Sequence, residues 1–364
     1  MIAALTTRWT LYVPILAALV LALSWGRSIP GLIVALVSLA LVGAVLAAVY
    51  HAEVVAHRVG EPFGSLVLAV AVTVIEVALI VTMMISGGEK AASLARDTVF
   101  AAVMITCNGI FGLVLLVGAL RRRVAVFNSE GTGAALATVA TLATLSLVLP
   151  TFTTSKPGPE FSVAQLAFAA VASLLLYGLF VMVQTVRHPD DFLPVEDGGA
   201  VDDEDDPHGA RPSKRAALSS LGLLVLALVC VVGLAKVVSP TLESAVNSAG
   251  LPQSAVGVVI AMLVLLPETL AAVNSARRNR VQIGLNLALG SAMASIGLTI
   301  PVIAIATIWL SGPLVLGLGA TQMVLLALTV AVGTLTIVPG RATLLHSGVH
   351  LALFAAFVFL AASP

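Results

Sequence analysis

Apolar runs of about twenty residues follow one another along almost the whole chain, and that is the length an α-helix needs to cross the hydrocarbon core of a bilayer. Eleven such runs can be read, at about 10–26, 30–50, 62–86, 98–120, 132–152, 162–186, 216–238, 251–275, 281–310, 314–338 and 342–362. Composition agrees. Of 364 residues 59% are apolar and 10% charged, and a mean hydropathy of +1.10 lies far outside the range of soluble domains. The expected fold class is therefore an all-α polytopic membrane protein whose main partner is the lipid bilayer. Formal net charge is zero and no basic face stands out, so nucleic acid is not an expected partner.

The one long polar interruption is "RHPDDFLPVEDGGAVDDEDDPHGARPSKR", residues 187–215, whose acid, Gly and Pro content reads as a solvated linker. It divides the chain into an extra first helix (1–29), a first five-helix half (30–186) and a second five-helix half (216–364). The first apolar run has one basic residue before it, Arg8, and no clear cleavage site after it, which reads as a retained helix. Lys and Arg summed over alternate loops fall thirteen on one side and five on the other. By the positive-inside tendency the N-terminus and the linker are cytoplasmic and the C-terminus is outside. Five is odd, so the second half must enter the membrane from the opposite side. The halves are expected to be inverted repeats, the usual plan of a secondary transporter.

Within this frame "TVIEVALIVTMM", residues 73–84, puts Glu76 near the middle of the third run, and "VLLPETLAAVNSA" puts Glu268 inside the eighth. Each is on the second helix of its half. A carboxylate at that depth costs roughly 3 kcal/mol on insertion scales and normally marks an ion or proton path. Pro267 removes one helical N–H and frees the carbonyl of Leu263, four residues earlier. Hard cations want six to eight oxygens, and Thr73, Thr82, Thr106, Asn108, Asn274, Ser291 and Ser295 are nearby polar groups. Thr73, Asn108, Ser291, Ser295 and the Leu263 carbonyl form the expected supporting set around Glu76 and Glu268. A Ser or Thr in a helix more often bonds its own backbone. Two carboxylates in low dielectric do not easily both stay ionised, so cation and protons compete for the same oxygens. That competition is an antiport mechanism.

Other signals are weaker. Glu53, His57 and Glu61 recur every four residues on one helical face, the spacing of a proton relay or pH sensor, or of a plain interfacial helix end. Asp202, Asp203, Glu204, Asp205 and Asp206 could hold Ca²⁺ as a regulatory segment, but they lack the alternating pattern of a Ca²⁺ loop. His346 and His350 are spaced for one face of the last helix, and a packed or hydrogen-bonded role outranks metal ligation. Cys107 and Cys230 carry no metal or disulfide spacing and read as buried small side chains. No cofactor and no enzymatic activity are expected, because no run holds an Asp pair, HExxH or GxSxG.

"GEPFGSLVLAVAVTVIEVALI" (60–80) and "VLLPETLAAVNSARRNRVQIGLNLALGSAMASIGLTIP" (264–301), in a chain with an acidic segment after its sixth run, resemble the Ca²⁺/H⁺ exchangers of the cation/Ca²⁺ exchanger superfamily. The branch most resembled is the bacterial ChaA-type antiporters. The resemblance implies two α-repeats, at about 60–120 and 250–310, each giving one glutamate to a shared mid-membrane site for cation and protons. Asn108 and Ser291 match the polar positions on the helix after each glutamate. Where the family has asparagine just before the glutamates, this chain has Thr73 and Leu265. The implied protein is an inner-membrane antiporter that exports Ca²⁺ for protons, with Na⁺(K⁺)/H⁺ exchange as the alternative, a channel a weaker one, and a homo-oligomer a further expectation.

Overall fold

The computed structural model describes residues 9–27, 31–60, 63–87, 92–195, 212–252, 254–309 and 312–364. Eight of the described helices are long and apolar enough to cross a membrane, or nine if one bent pair counts as a single span; two more, Trp9–Ser24 and the Val70–Thr82 segment, are apolar but shorter. The elements are α1 (Trp9–Ser24), α2 (Gly31–Val59), α3 (Phe63–Gly87), α4 (Leu94–Met104), α5 (Phe111–Arg122), α6 (Ser129–Ala143), α7 (Val163–Met182), α8 (Lys214–Ser248), α9 (Ser254–Val264), α10 (Leu266–Arg277), α11 (Val281–Ala306), α12 (Ala320–Ile337) and α13 (Leu344–Ala362). A π-helical turn, Ile105–Ile110, joins α4 to α5 without a break in the span.

By backbone proximity the chain divides into two compact units, Met1–Gly87 with Ala200–Ala249, and Gly88–Gly199 with Gly250–Pro364. In the first, α2 packs on α1, α3 and α8. Proline shapes this unit. Pro14 lies inside α1 and has no N–H for the carbonyl of Thr10, one turn back. The buried His51 on α2 supplies the missing donor, its Nε2 lying 2.9 Å from the Thr10 oxygen. A carbonyl can only accept, so Nε2 carries the hydrogen. The helix α2 continues past the expected end at residue 50 because no breaker intervenes until Gly60, which takes a left-handed φ of +79°.

In the second unit α11 packs on α7, α6 and α10, α4 on α9, and α13 on α5. Three features depart from the sequence reading, one of them the break between α9 and α10. The all-helix expectation is amended by a short antiparallel ladder, β1 (Val124–Val126) against β2 (Arg341–Thr343), with Ala125 opposite Ala342. The helix expected from 314 begins only at Ala320, because the apolar residues before it form an extended strap. Val315 N–H donates to Ala92, Gly317 N–H to Pro159 and Leu318 N–H to Leu147, while Thr151 Oγ1 donates to the Leu318 carbonyl. Gly317 is required there, since a Cβ would lie 2.4 Å from Thr151 Oγ1. The strap's backbone is thus paired with other segments instead of with itself, and it has no need to be helical.

The start of the polar linker is also anchored. Pro189–Phe192 forms a 3₁₀ turn, and Asn286 Nδ2 donates to the Phe192 carbonyl at 2.6 Å. Gln282 ties the same corner together, accepting from Asn128 N–H and donating to Thr132 and Asn286. Both thiols, Cys107 and Cys230, are buried and free.

Candidate functional site

Glu76 is the fourteenth of 25 residues of α3 and is 4% exposed. No proline or glycine interrupts the helix around it, and Ile75, Leu79 and Ile80 beside it are buried. Thr73, one turn earlier and so on the same face, is buried as well. A carboxylate within an apolar, unbroken helix is the costly placement expected of an ion path.

Glu268 is positioned differently. The continuous span expected over 251–275 is two helices, α9 and α10, bent by 51°. Leu265 is the break, with φ −85° and ψ 0°. Pro267 falls in the first turn of α10, where a missing N–H costs nothing and its fixed φ suits a helix start. The Leu263 carbonyl, four residues before Pro267, therefore gets no helical donor from it. The Leu265 carbonyl is satisfied twice, by Thr269 N–H at 2.9 Å and Thr269 Oγ1 at 2.7 Å. Glu268 is half-buried in the first turn of α10, where the positive end of the helix dipole favours negative charge. Half-helix ends of this kind are how transporters of inverted-repeat plan line a binding site.

The supporting residues divide. Ser291 is half-buried and Ser295 buried on α11, and their four-residue spacing gives them one face. Thr299 extends that face one turn further; it is fully buried, and its hydroxyl has no hydrogen-bond partner among the described residues. The four-residue period was visible in the sequence but not read as far as Thr299. Thr106 takes the ordinary course for a helical threonine and donates to the Ala102 carbonyl at 2.7 Å. Asn274 is exposed, six residues along α10 from Glu268.

Asn108 is fully buried in the π-helical turn. Its Nδ2 donates to Thr329 Oγ1 at 2.9 Å, and its Oδ1 meets Nδ1 of His350 at 3.2 Å. His350 Nε2 in turn meets Thr336 Oγ1 at 3.2 Å. The histidine reading that favoured a hydrogen-bonded role describes this geometry, and His346 instead caps the start of α13 through Thr343.

Of the relay candidates, Glu53 is exposed and His57 half-buried on α2, while Glu61 lies outside the described residues. So do Asp202, Asp203, Glu204, Asp205 and Asp206 of the linker. Among the described residues no three His, Cys, Asp or Glu side chains gather as a metal site.

Known proteins place this architecture. The sequence profile of the sodium/calcium exchanger protein family matches residues 28–186 and 219–362. The protein y4hA of Sinorhizobium fredii is 46% identical over 98% of this chain and 96% of its own length. The sodium-potassium/proton antiporter ChaA of Escherichia coli is 35% identical over 96% of this chain and 94% of its own. Among solved structures, native YfkE superimposes with a TM-score of 0.71 at 16% identity, covering 98% of this chain and 99% of that one. The H⁺/Ca²⁺ exchanger CAX gives 0.66, also at 16% identity, over 97% of this chain and 86% of that one.

Proposed function

This chain belongs to the sodium/calcium exchanger family, and from that premise we propose that it is a secondary cation/proton antiporter of the inner membrane, exporting Ca²⁺ from the cytoplasm in return for protons. The observation that carries the reading is the pair of membrane-embedded glutamates. Glu76 is buried at the centre of an unbroken helix, and Glu268 opens a half-helix after a proline break. Each lies on the second apolar run of its five-run half. In the proposed architecture the halves are inverted repeats within eleven spans, the N-terminus and acidic linker are cytoplasmic, and the C-terminus is outside.

The mechanism follows from the cost of charge in lipid. Two bare carboxylates are too costly to carry across the barrier, whereas two carboxylates with one Ca²⁺, or with two protons, are neutral. Only the loaded forms cross, so one cargo moves inward as the other moves outward. Thr73, Ser291, Ser295, Asn108 and the Leu263 carbonyl supply further oxygens. Because cation and protons share the same oxygens, apparent cation affinity should rise with pH.

A second reading, Na⁺(K⁺)/H⁺ exchange at the same site, is favoured by the 35% identity to an antiporter named for sodium, potassium and protons. The neutral Thr73 and Leu265 beside the glutamates fit an ion that asks for fewer oxygens than Ca²⁺. Everted vesicles carrying a pH gradient decide between them. Collapse of the gradient on adding Ca²⁺ supports the first reading, and collapse on Na⁺ or K⁺ alone supports the second. ⁴⁵Ca²⁺ uptake should vanish in Glu76→Gln and in Glu268→Gln; full exchange in either variant would refute the shared site.

A further inference from the structure

The contacts of Asn108 form a hydrogen-bonded chain whose direction can be worked out atom by atom. Thr329 Oγ1 donates its one hydrogen to the Leu325 carbonyl at 2.8 Å, which leaves its lone pairs to accept from Asn108 Nδ2 at 2.9 Å. The amide nitrogen of Asn108 is thereby fixed toward α12, and its oxygen toward His350. An amide oxygen cannot donate, so the hydrogen between them resides on His350 Nδ1. His350 Nε2 then presents a lone pair, and the hydroxyl of Thr336 donates to it at 3.2 Å. All four bonds point the same way, from Thr336 through His350, Asn108 and Thr329 to Leu325. Bonds so aligned polarise one another.

The chain is buried and tightly held. Asn108, Thr329, Thr336 and His350 are each at most 1% exposed. Glycines let α13 come close, since a Cβ at Gly112 would lie 3.1 Å from His350 Cβ, and the Phe111 ring lies 4.9 Å from the imidazole. The amide sits on the π-helical turn of its span, a distortion often found at functional sites.

We propose that His350 is a positioning residue for cation exchange. Its Nδ1–H holds the carboxamide oxygen of Asn108, and Thr336 holds His350 in the tautomer able to do so. A carbonyl oxygen has two lone pairs; His350 takes one and fixes the direction of the other, so the oxygen meets a cation already oriented. This rests on the reading that Asn108 contributes an oxygen to the transported cation. Preorganised ligands lose less freedom on binding, and without His350 the amide keeps only its bond to Thr329, so the direction of its oxygen is less restricted.

The test is cation-coupled proton flux in proteoliposomes, with Ca²⁺ and Na⁺ titrated separately, for wild type, His350→Leu, His350→Gln and Thr336→Val. Loss of one oriented hydrogen bond should raise the half-saturating cation concentration about five- to tenfold in His350→Leu while the maximal rate stays within about twofold. His350→Gln, which keeps an N–H donor, should recover most of the affinity, and Thr336→Val should shift it in the same direction by less. A merely structural role would instead lower the maximal rate and the yield of monodisperse protein with the half-saturating concentration unchanged, and that outcome overturns the proposal. If His350→Leu does not assemble, an unchanged half-saturating concentration in Thr336→Val overturns it equally. Flux lost in Glu76→Gln but indifferent to His350 and Thr336 would sink this inference and leave the exchange reading standing. Absence of any cation-coupled flux in the wild type would remove both.

Discussion

Glu268 directly follows Pro267 in the first turn of α10, just beyond the 51° bend at Leu265. The proline that interrupts the span is therefore what sets a carboxylate at a helix N-terminus. Pro267→Ala supplies an N–H that can pair with the Leu263 carbonyl and let the span run on as one helix, while at a first-turn position the proline it replaces costs little. The variant should melt at nearly the same temperature yet exchange cations at least about tenfold more slowly, because the freed carbonyl is lost and the glutamate is re-aimed. Thermal unfolding and vesicle flux on one preparation read both effects. Faster or unchanged flux would show that the break has no part in transport.

On α3 the other proposed ligand, Glu76, has no break to help it, and the polar group beside it is Thr73, one turn earlier. Thr73→Asn adds an amide oxygen on the same face. Ca²⁺ requires more oxygen ligands than Na⁺, so the preference for Ca²⁺ over Na⁺ should increase by about three- to tenfold. An unaltered ratio of the two half-saturating concentrations would remove Thr73 from the ligand set.

Ser291, Ser295 and Thr299 share a face of α11, and the Thr299 hydroxyl is buried without a hydrogen-bond partner among the described residues. A buried hydroxyl left so costs about 1–3 kcal/mol, and valine has the same shape without the polar atom. Thr299→Val should therefore stabilise the protein by about 1 kcal/mol and slow cation flux if the face lines the path. Denaturation in detergent together with flux measurements checks the opposed signs. A variant both more stable and fully active would make Thr299 a packing residue.

His51 and Thr10 offer a test independent of transport. Removing the imidazole in His51→Phe strands the carbonyl that Pro14 already leaves without a helical donor, at about 1–3 kcal/mol. Pro14→Ala supplies that donor from within α1, so in its background the same His51 substitution should cost much less. A double-mutant cycle on thermal stability measures the coupling; additive effects would mean the bond contributes nothing.

Much of this was legible before any coordinates. The apolar runs located most helices to within a few residues, since a bilayer dictates their length. Glu76 and Glu268 stood out because a charge in such a run has few tolerable explanations. Less legible was the stretch after residue 311. "PLVLGLG" is as apolar as a span, yet its backbone pairs with Ala92, Leu147 and Pro159. Hydropathy measures transfer into an apolar environment and does not distinguish lipid from the protein interior.

What the sequence by itself determined is therefore the membrane frame, the two carboxylates and the family likeness, all of which depend on local composition and spacing. Tertiary structure decided how the polar atoms are used. Pro267 could have kinked one helix and instead begins another. Asn108 could have faced any neighbour, but its amide is divided between Thr329 and His350, 221 and 242 residues away. No local periodicity carries that information, because a hydrogen bond between helices is fixed by which faces the packing brings together.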